Sequence, residues 1–162
     1  MLAFCIGSNI DPEANIRRGL AELREKFGPL RCSRVYRSAA VGFAGPDFLN
    51  LAAVAETDTP VPEAVAWLKR LESRMGRNPG KPKFSSRPID IDVFVPGAPD
   101  GAHGKLAVPH REVRESAFVL GPLAELLPKL KLDPDGPDLA QLWAGHDQSG
   151  LEPVAMDLPA EP

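Results

Sequence analysis

Apolar residues recur along this chain with two alternating spacings, and the order in which the spacings appear sets out a fold. Leu2 to Ile6 is an unbroken apolar run closed by Gly7 and Ser8, the pattern of a fully buried strand. Asp11-Pro12-Glu13 reads as a helix start, with Asp11 able to cap and Pro12 suited to the first helical position. Ile16, Leu20, Leu23 and Phe27 then fall on one helical face, and Gly28-Pro29 stops the helix. Leu30 to Arg37 predicts a strand, and Ser38 to Pro46 a loop rich in small residues and glycine. Phe48 to Thr57 is a second buried strand. Pro60 and Pro62 open another helix, whose apolar stripe is Ala64, Leu68, Leu71 and Met75 and which Gly76 ends. Asn78 to Ser86 is polar and without periodicity. Ile89 to Val95 alternates as I-D-I-D-V, a strand with unlike faces.

The order is βαβ followed by βαβ, with one long loop between the halves. That is the ferredoxin-like split βαβ sandwich, an α+β fold with an antiparallel sheet and both helices on one face. Beyond it, Leu106 to Val108 predicts a short strand and Ala117 to Leu126 a helix. From about Leu132 the chain is rich in Pro, Gly and Asp. The pattern therefore predicts one domain over residues 1–131 and a C-terminal extension over 132–162, its last dozen residues poorly ordered.

Composition narrows the possibilities. A chain of 162 residues with 43% hydrophobic and 25% charged content suits one soluble domain with its own core. A formal charge of −3 gives no whole-chain field for nucleic acid or anionic membrane, so any phosphate must be gripped by a local basic cluster. No apolar run is long enough to span a bilayer, and Met1 leads into a short apolar stretch without a basic leader. Cys5 and Cys32 lie in apolar or strand-like runs and read as free thiols of a reducing compartment. The cytoplasm is the expected location, with no nucleic-acid or membrane partner.

Candidate chemistry centres on Asp90 and Asp92. Residues two apart on a strand share a face, so these carboxylates project side by side while Ile89, Ile91 and Val93 face the other way. Such a pair is either the wet face of a half-buried strand or a metal site. Phe94 continues the aspartate face, so that face is not uniformly solvated. The preceding segment carries Arg77, Lys81, Lys83 and Arg87. Two carboxylates ~5 Å apart repel by roughly 3 kcal/mol at an effective dielectric of about 20, so a pair placed there favours a cation. All-oxygen ligation suits magnesium, which completes its octahedron with water and substrate phosphates. The basic side chains would then meet the phosphates.

Several other residues carry two readings. Asn50 lies in an apolar strand and either bonds the backbone of a neighbouring strand or reads the edge of a flat heterocycle. Phe48, on the same strand face, packs in the core or stacks on such a ring. His110 is structural or touches phosphate, with Arg111 and Arg114 close by. Glu72, one residue beyond Leu71, forms a helix-edge salt bridge or accepts from a sugar hydroxyl. No P-loop, dinucleotide fingerprint or Ser-His-Asp arrangement is present.

Jointly these residues resemble the 6-hydroxymethyl-7,8-dihydropterin pyrophosphokinase family of folate biosynthesis. The likeness runs from Ile6-Gly7-Ser8-Asn9 through Val35-Tyr36-Arg37-Ser38, Pro46-Asp47-Phe48-Leu49-Asn50, Leu71-Glu72 and Gly76-Arg77. It continues in Arg87-Pro88-Ile89-Asp90-Ile91-Asp92, Val108-Pro109-His110 and Phe118-Val119-Leu120-Gly121-Pro122-Leu123. The resemblance implies Mg-dependent transfer of the β,γ-pyrophosphate of ATP to a dihydropterin alcohol, with release of AMP. By the same likeness Asp90 and Asp92 match aspartates that bind two magnesium ions, and Arg77 and Arg87 match phosphate-handling arginines. Phe48 and Phe118 match rings that sandwich the pterin, and Asn50 the amide that reads its edge. The backbone of Ser38 to Val41 matches a segment lining that pocket. Glu72, Lys81, Lys83, Phe84, His110 and Arg111 are expected on the nucleotide side, and a monomer is expected.

The chain also departs from the family. Phe84-Ser85-Ser86-Arg87-Pro88 stands where the family usually has Trp-Gly-Pro-Arg-Thr, arginines are absent at Pro79 and Gly80, and Ser116 replaces an arginine. Arg111 and Arg114 are the nearby candidates to substitute for it. The alternative these departures leave is a pterin- or nucleotide-binding paralogue with weak or no kinase activity. An RNA-binding reading of the same sheet is disfavoured by the acidic charge and the 6% aromatic content.

Overall fold

In the computed structural model, which describes residues 1–77, 80 and 85–158, the alternating spacings become the expected split βαβ sheet. Its elements are β1 (Leu2–Ser8), α1 (Pro12–Phe27), β2 (Leu30–Cys32), β3 (Val35–Ser38), β4 (Phe48–Ala55), α2 (Val61–Arg74) and β5 (Asp90–Phe94). A single 3-10 turn (Gly104–Leu106), α3 (His110–Glu115), α4 (Ala117–Leu126), α5 (Leu139–Ala144) and β6 (Glu152–Val154) follow. The sheet runs β5-β1-β4-β3-β6, with β2 also on β4, and every named pair is antiparallel. Among the described residues, no helix is long and apolar enough to cross a membrane.

The two helical stripes cover one face. Ile16, Leu20, Leu23 and Phe27 of α1 and Ala64, Leu68 and Leu71 of α2 bury against Phe4, Ile6, Leu51, Ile91 and Val93. Each such side chain taken fully out of water contributes about 1.5–3 kcal/mol. The opposite face is not bare, as two helices alone would leave it. Ala3, Ala52, Val54 and Phe94 pack there against Val119, Leu120 and Leu123 of α4 and Leu139 of α5. Tyr36 Oη donates to Glu125 Oε2 at 2.6 Å, which fastens α4 to β3.

Local chemistry explains where the elements differ from the pattern. Asp11 does not cap α1 through its side chain but turns into the left-handed region at φ 41°, which Asp tolerates better than most residues. The strand expected over Leu30 to Arg37 is broken at Ser33. Four residue steps carry it from Cys32 to Tyr36 while β4 takes three from Ala53 to Asn50, so one extra residue is accommodated. The buried Ser33 hydroxyl accepts the Ala52 N–H at 2.9 Å and takes over a ladder position. The strand expected over Leu106 to Val108 is a 3-10 turn followed by a single parallel bridge from Ala107 to Val93. Within the last dozen residues, expected to be poorly ordered, β6 pairs with β3, and Met156 and Leu158 pack against the core.

Candidate active site

The second sheet face is covered only in part. Along β1 the positions Ala3, Cys5 and Gly7 sit opposite Phe94, Asp92 and Asp90 of β5, and opposite Val54, Ala52 and Asn50 of β4. The end holding Ala3, Val54 and Phe94 lies under α4. The other end, holding Gly7, Asn50 and Asp90, opens into a cleft of about 970 Å³. A single strand alternation therefore yields a core residue, Phe94, and two cleft carboxylates.

Asp90 is held by two guanidinium groups, Arg77 Nη1 at 2.8 Å and Arg87 Nη1 at 3.1 Å. Arg77 also pairs with Glu72, whose carboxylate is buried and accepts the Ile91 N–H at 3.1 Å. The salt-bridge reading of Glu72 thus holds, and its side chain also lines the cleft. Burial and then Asp90 push its carboxyl above the ordinary range, against the pull of Arg77 and the Ile91 N–H. Asp92 differs. Among the described residues it makes no ion pair, and although its carboxylate is reached from the cleft, protein crowds it closely. Burial, then the charges of Asp90, Glu72 and Glu112, push it up to about 7.

A second group lines the same cleft some strands away. Ser38, Val41, Phe48, Asn50 and Phe118 all face it. Asn50 Nδ2 donates to Ser38 Oγ at 2.8 Å, so its donor meets the neighbouring strand through a side-chain hydroxyl and not through the backbone. A Cβ added to Gly7 would stand 3.2 Å from Asn50 Oδ1 and 3.7 Å from the Phe48 ring. The missing side chain at Gly7 is what leaves room beside the amide and ring. Phe118 comes from the first turn of α4, so the helix that closes one end of the face also supplies an aromatic wall to the other.

His110 and Arg111 are not among the residues lining this cleft. The His110 ring is buried against Phe94 at 6.2 Å between centroids, and its backbone N–H donates to Asp100 Oδ1. Arg111 pairs with Glu115 on an 84% exposed side chain, and Arg114 pairs with Asp133. Neither arginine stands in for the one absent at Ser116, which itself faces the cleft. Lys81, Lys83 and Phe84 lie outside the described residues. Sequence reasoning did not single out Phe43, Lys69, Lys105 or Glu112, all of which line the cleft. Phe43 makes an edge contact with Phe48 at 6.4 Å. No periodicity could have found it, because it lies in the loop before β4.

Chemically, the β3–β4 side of the cleft offers a flat slot with an amide and aromatic rings, and the β5 side offers carboxylates and guanidinium groups. The described residues hold no group of three or more acidic, His or Cys side chains able to bind a metal by themselves. A pair of carboxylates that leaves the remaining positions to phosphates and water is the donor set magnesium accepts, so the residues fit that ion.

Comparisons with known proteins give the family. The family model described as 7,8-dihydro-6-hydroxymethylpterin-pyrophosphokinase matches residues 3–128. A Synechocystis protein named 2-amino-4-hydroxy-6-hydroxymethyldihydropteridine pyrophosphokinase is 32% identical over 156 residues, 94% of this chain and 80% of its own. A protein of the same name from Methylorubrum extorquens is 33% identical, covering 92% of this chain and 95% of its own. Among solved structures, one described as HPPK-DHPS in complex with substrates superposes with a TM-score of 0.63 at 13% identity, over 88% of this chain and 42% of that one. That last likeness speaks to fold alone.

Proposed function

Because the chain belongs to the 7,8-dihydro-6-hydroxymethylpterin-pyrophosphokinase family, we propose that the cleft at Asp90 and Asp92 is where it moves pyrophosphate from ATP to 6-hydroxymethyl-7,8-dihydropterin. The reaction itself is the family's, a kinase step of folate biosynthesis that releases AMP and the pterin diphosphate. What is proposed is the assignment of roles to residues, and the observation that carries it is that the amide-and-ring group of Ser38, Phe48, Asn50 and Phe118 and the charged group of Arg77, Arg87, Asp90 and Asp92 line one cleft at the same open end of the sheet face.

Phe48 and Phe118 take the pterin between them, and Asn50 and the Ser38 to Val41 segment read its edge. Support comes from their common cleft and from the Asn50–Ser38 bond, which fixes which way the amide faces. Asp90 and Asp92 hold two magnesium ions, which when bound with ATP would neutralise charge that develops on the transferring phosphates. Asp92, which makes no ion pair among the described residues and is crowded by the charges of Asp90, Glu72 and Glu112, supports a cation there. Arg77 and Arg87 keep Asp90 paired before substrate arrives and lie within reach of phosphate oxygens beside it. Glu72 anchors Arg77 and the strand that carries the aspartates. Little covalent chemistry is asked of these groups; positioning and charge neutralisation carry the rate. We read the protein as a cytoplasmic monomer, a location that its two free thiols suit. Lys81, Lys83 and Phe84 remain assigned to the nucleotide on the sequence likeness alone, as do His110 and Arg111.

The test is an omission series. AMP should appear only when ATP, magnesium and the hydroxymethyl-dihydropterin are all present. ATP consumption without AMP, or AMP release that ignores the pterin, would overturn the assignment. Tight pterin binding without turnover would select the non-catalytic paralogue instead.

A further inference from the structure

Given the transferase reading above, we propose that Asn9 is a positioning residue for the transfer, tying the segment that presents Phe48 and the segment that presents Arg87 into one unit. Asn9 follows the last residue of β1 and is 4% exposed. Its Nδ2 donates to the Pro46 carbonyl at 3.2 Å and to Ser86 Oγ at 3.2 Å. Its Oδ1 accepts the Arg87 N–H at 2.7 Å, and its own backbone N–H donates to the Arg87 carbonyl at 3.1 Å. Both amide donors and the amide oxygen are therefore engaged, and they reach two loops distant from each other in sequence.

Each attachment lies next to a residue of the cleft. Pro46 stands two residues before Phe48. Arg87 is gripped at both its N–H and its carbonyl, and the neighbouring Pro88 carbonyl accepts from Ser8 Oγ. The Arg87 guanidinium that meets Asp90 at 3.1 Å thus starts from a backbone clamped to β1. The Ser86 hydroxyl becomes a third attachment point. A buried amide needs partners for stability alone, but stability does not require that those partners be the approaches to both substrates. A displacement of about 1 Å at reacting groups can cost on the order of a hundredfold in rate, so a clamp spanning both substrates acts directly on turnover.

Three variants separate positioning from mere stability. Asn9→Asp keeps the acceptor for the Arg87 N–H and lets the Ser86 hydroxyl donate to it, but it turns an acceptor toward the Pro46 carbonyl. It should raise the pterin Kd about tenfold while the Kd for a non-hydrolysable ATP analogue stays within about twofold. Asn9→Ala removes all three side-chain bonds, leaving only the backbone bond to the Arg87 carbonyl at this residue, and should lower kcat at least about tenfold as well. Ser86→Ala removes one attachment without a buried charge and should lower kcat about threefold with the fold intact. Pterin binding followed by calorimetry on wild type and all three variants, with melting curves beside it, reads the outcome. A lowered Tm with unchanged pterin Kd and unchanged kcat per folded molecule would overturn the proposal. Failure of the wild type to release AMP would instead overturn the functional assignment, and the pterin Kd comparison would still decide the role of Asn9.

Discussion

The Glu72 carboxylate accepts the backbone N–H of Ile91 at 3.1 Å, midway between the two aspartates of a strand at the sheet edge. An edge strand has unpaired backbone groups on its outer side. Here a side chain from α2 takes one of them and pins the segment whose alternation aims Asp90 and Asp92. The same carboxylate holds Arg77, so strand and guanidinium are positioned together. Glu72→Gln keeps an acceptor for Ile91 but loses the charge, whereas Glu72→Ala leaves a buried N–H unmatched and Arg77 with Asp90 as its remaining partner among the described residues. The alanine variant should be less stable by about 2–3 kcal/mol and the glutamine variant by about half that. Denaturant melts check the order. Equal losses would mean that the Ile91 bond does not matter.

Asp92→Asn should move stability and activity in opposite directions. It removes a carboxylate crowded by Asp90, Glu72 and Glu112, so the metal-free protein should melt no lower than wild type near neutral pH. AMP formation should fall at least about a thousandfold if a metal ligand is lost. An Asp92→Asn protein that keeps more than a tenth of wild-type kcat would remove Asp92 from the metal site.

The raised Asp92 carboxyl gives a pH dependence with a definite sign. An unfolded aspartate titrates near ~3.9, and in the folded protein this group is pushed up to about 7. Between those values the native state holds the extra proton, so the stability contribution is fully present below the lower value and is lost as pH rises to the upper one. In EDTA the Tm should therefore decline from pH 5 to pH 8 through this group. Magnesium must displace that proton, so its apparent affinity should weaken about tenfold per pH unit below 7 and level off above. A magnesium affinity independent of pH between 5.5 and 8 would contradict the shift.

Gly7→Ala tests the pterin end without touching the charges. The new methyl would stand 3.2 Å from Asn50 Oδ1 and 3.7 Å from the Phe48 ring. The backbone at this position needs no glycine-only conformation, so the protein should fold. Pterin affinity should fall about tenfold while the affinity for an ATP analogue is unchanged, measured by calorimetry. Equal weakening of both ligands would place the pterin elsewhere.

Much of this was legible in the sequence, and the exceptions have physical causes. The helices needed only their stripes, because Ile16, Leu20 and Leu23 or Ala64, Leu68 and Leu71 have one burial solution. Alternation also placed Asp90, Asp92 and Phe94 on one face, and the burial of Phe94 under α4 confirms the register. Ser33 could not be foreseen, since a serine hydroxyl replaces a backbone acceptor only once β4 lies beside it. The positions of His110 and Arg111 outside the cleft lining could not be read from their neighbourhood in sequence. On the short α3 one turns into the core against Phe94 and the other out to Glu115. Phe43 and Glu112 reach the cleft from a loop and from that same helix, where no spacing announces them.

The most direct test is a crystal structure with manganese, a non-hydrolysable ATP analogue and 6-hydroxymethyl-7,8-dihydropterin, read by anomalous scattering. Two metal peaks should appear at Asp90 and Asp92, bridging to phosphate oxygens, with the pterin between Phe48 and Phe118. Metal peaks held by other side chains, or a pterin outside those rings, would contradict the account.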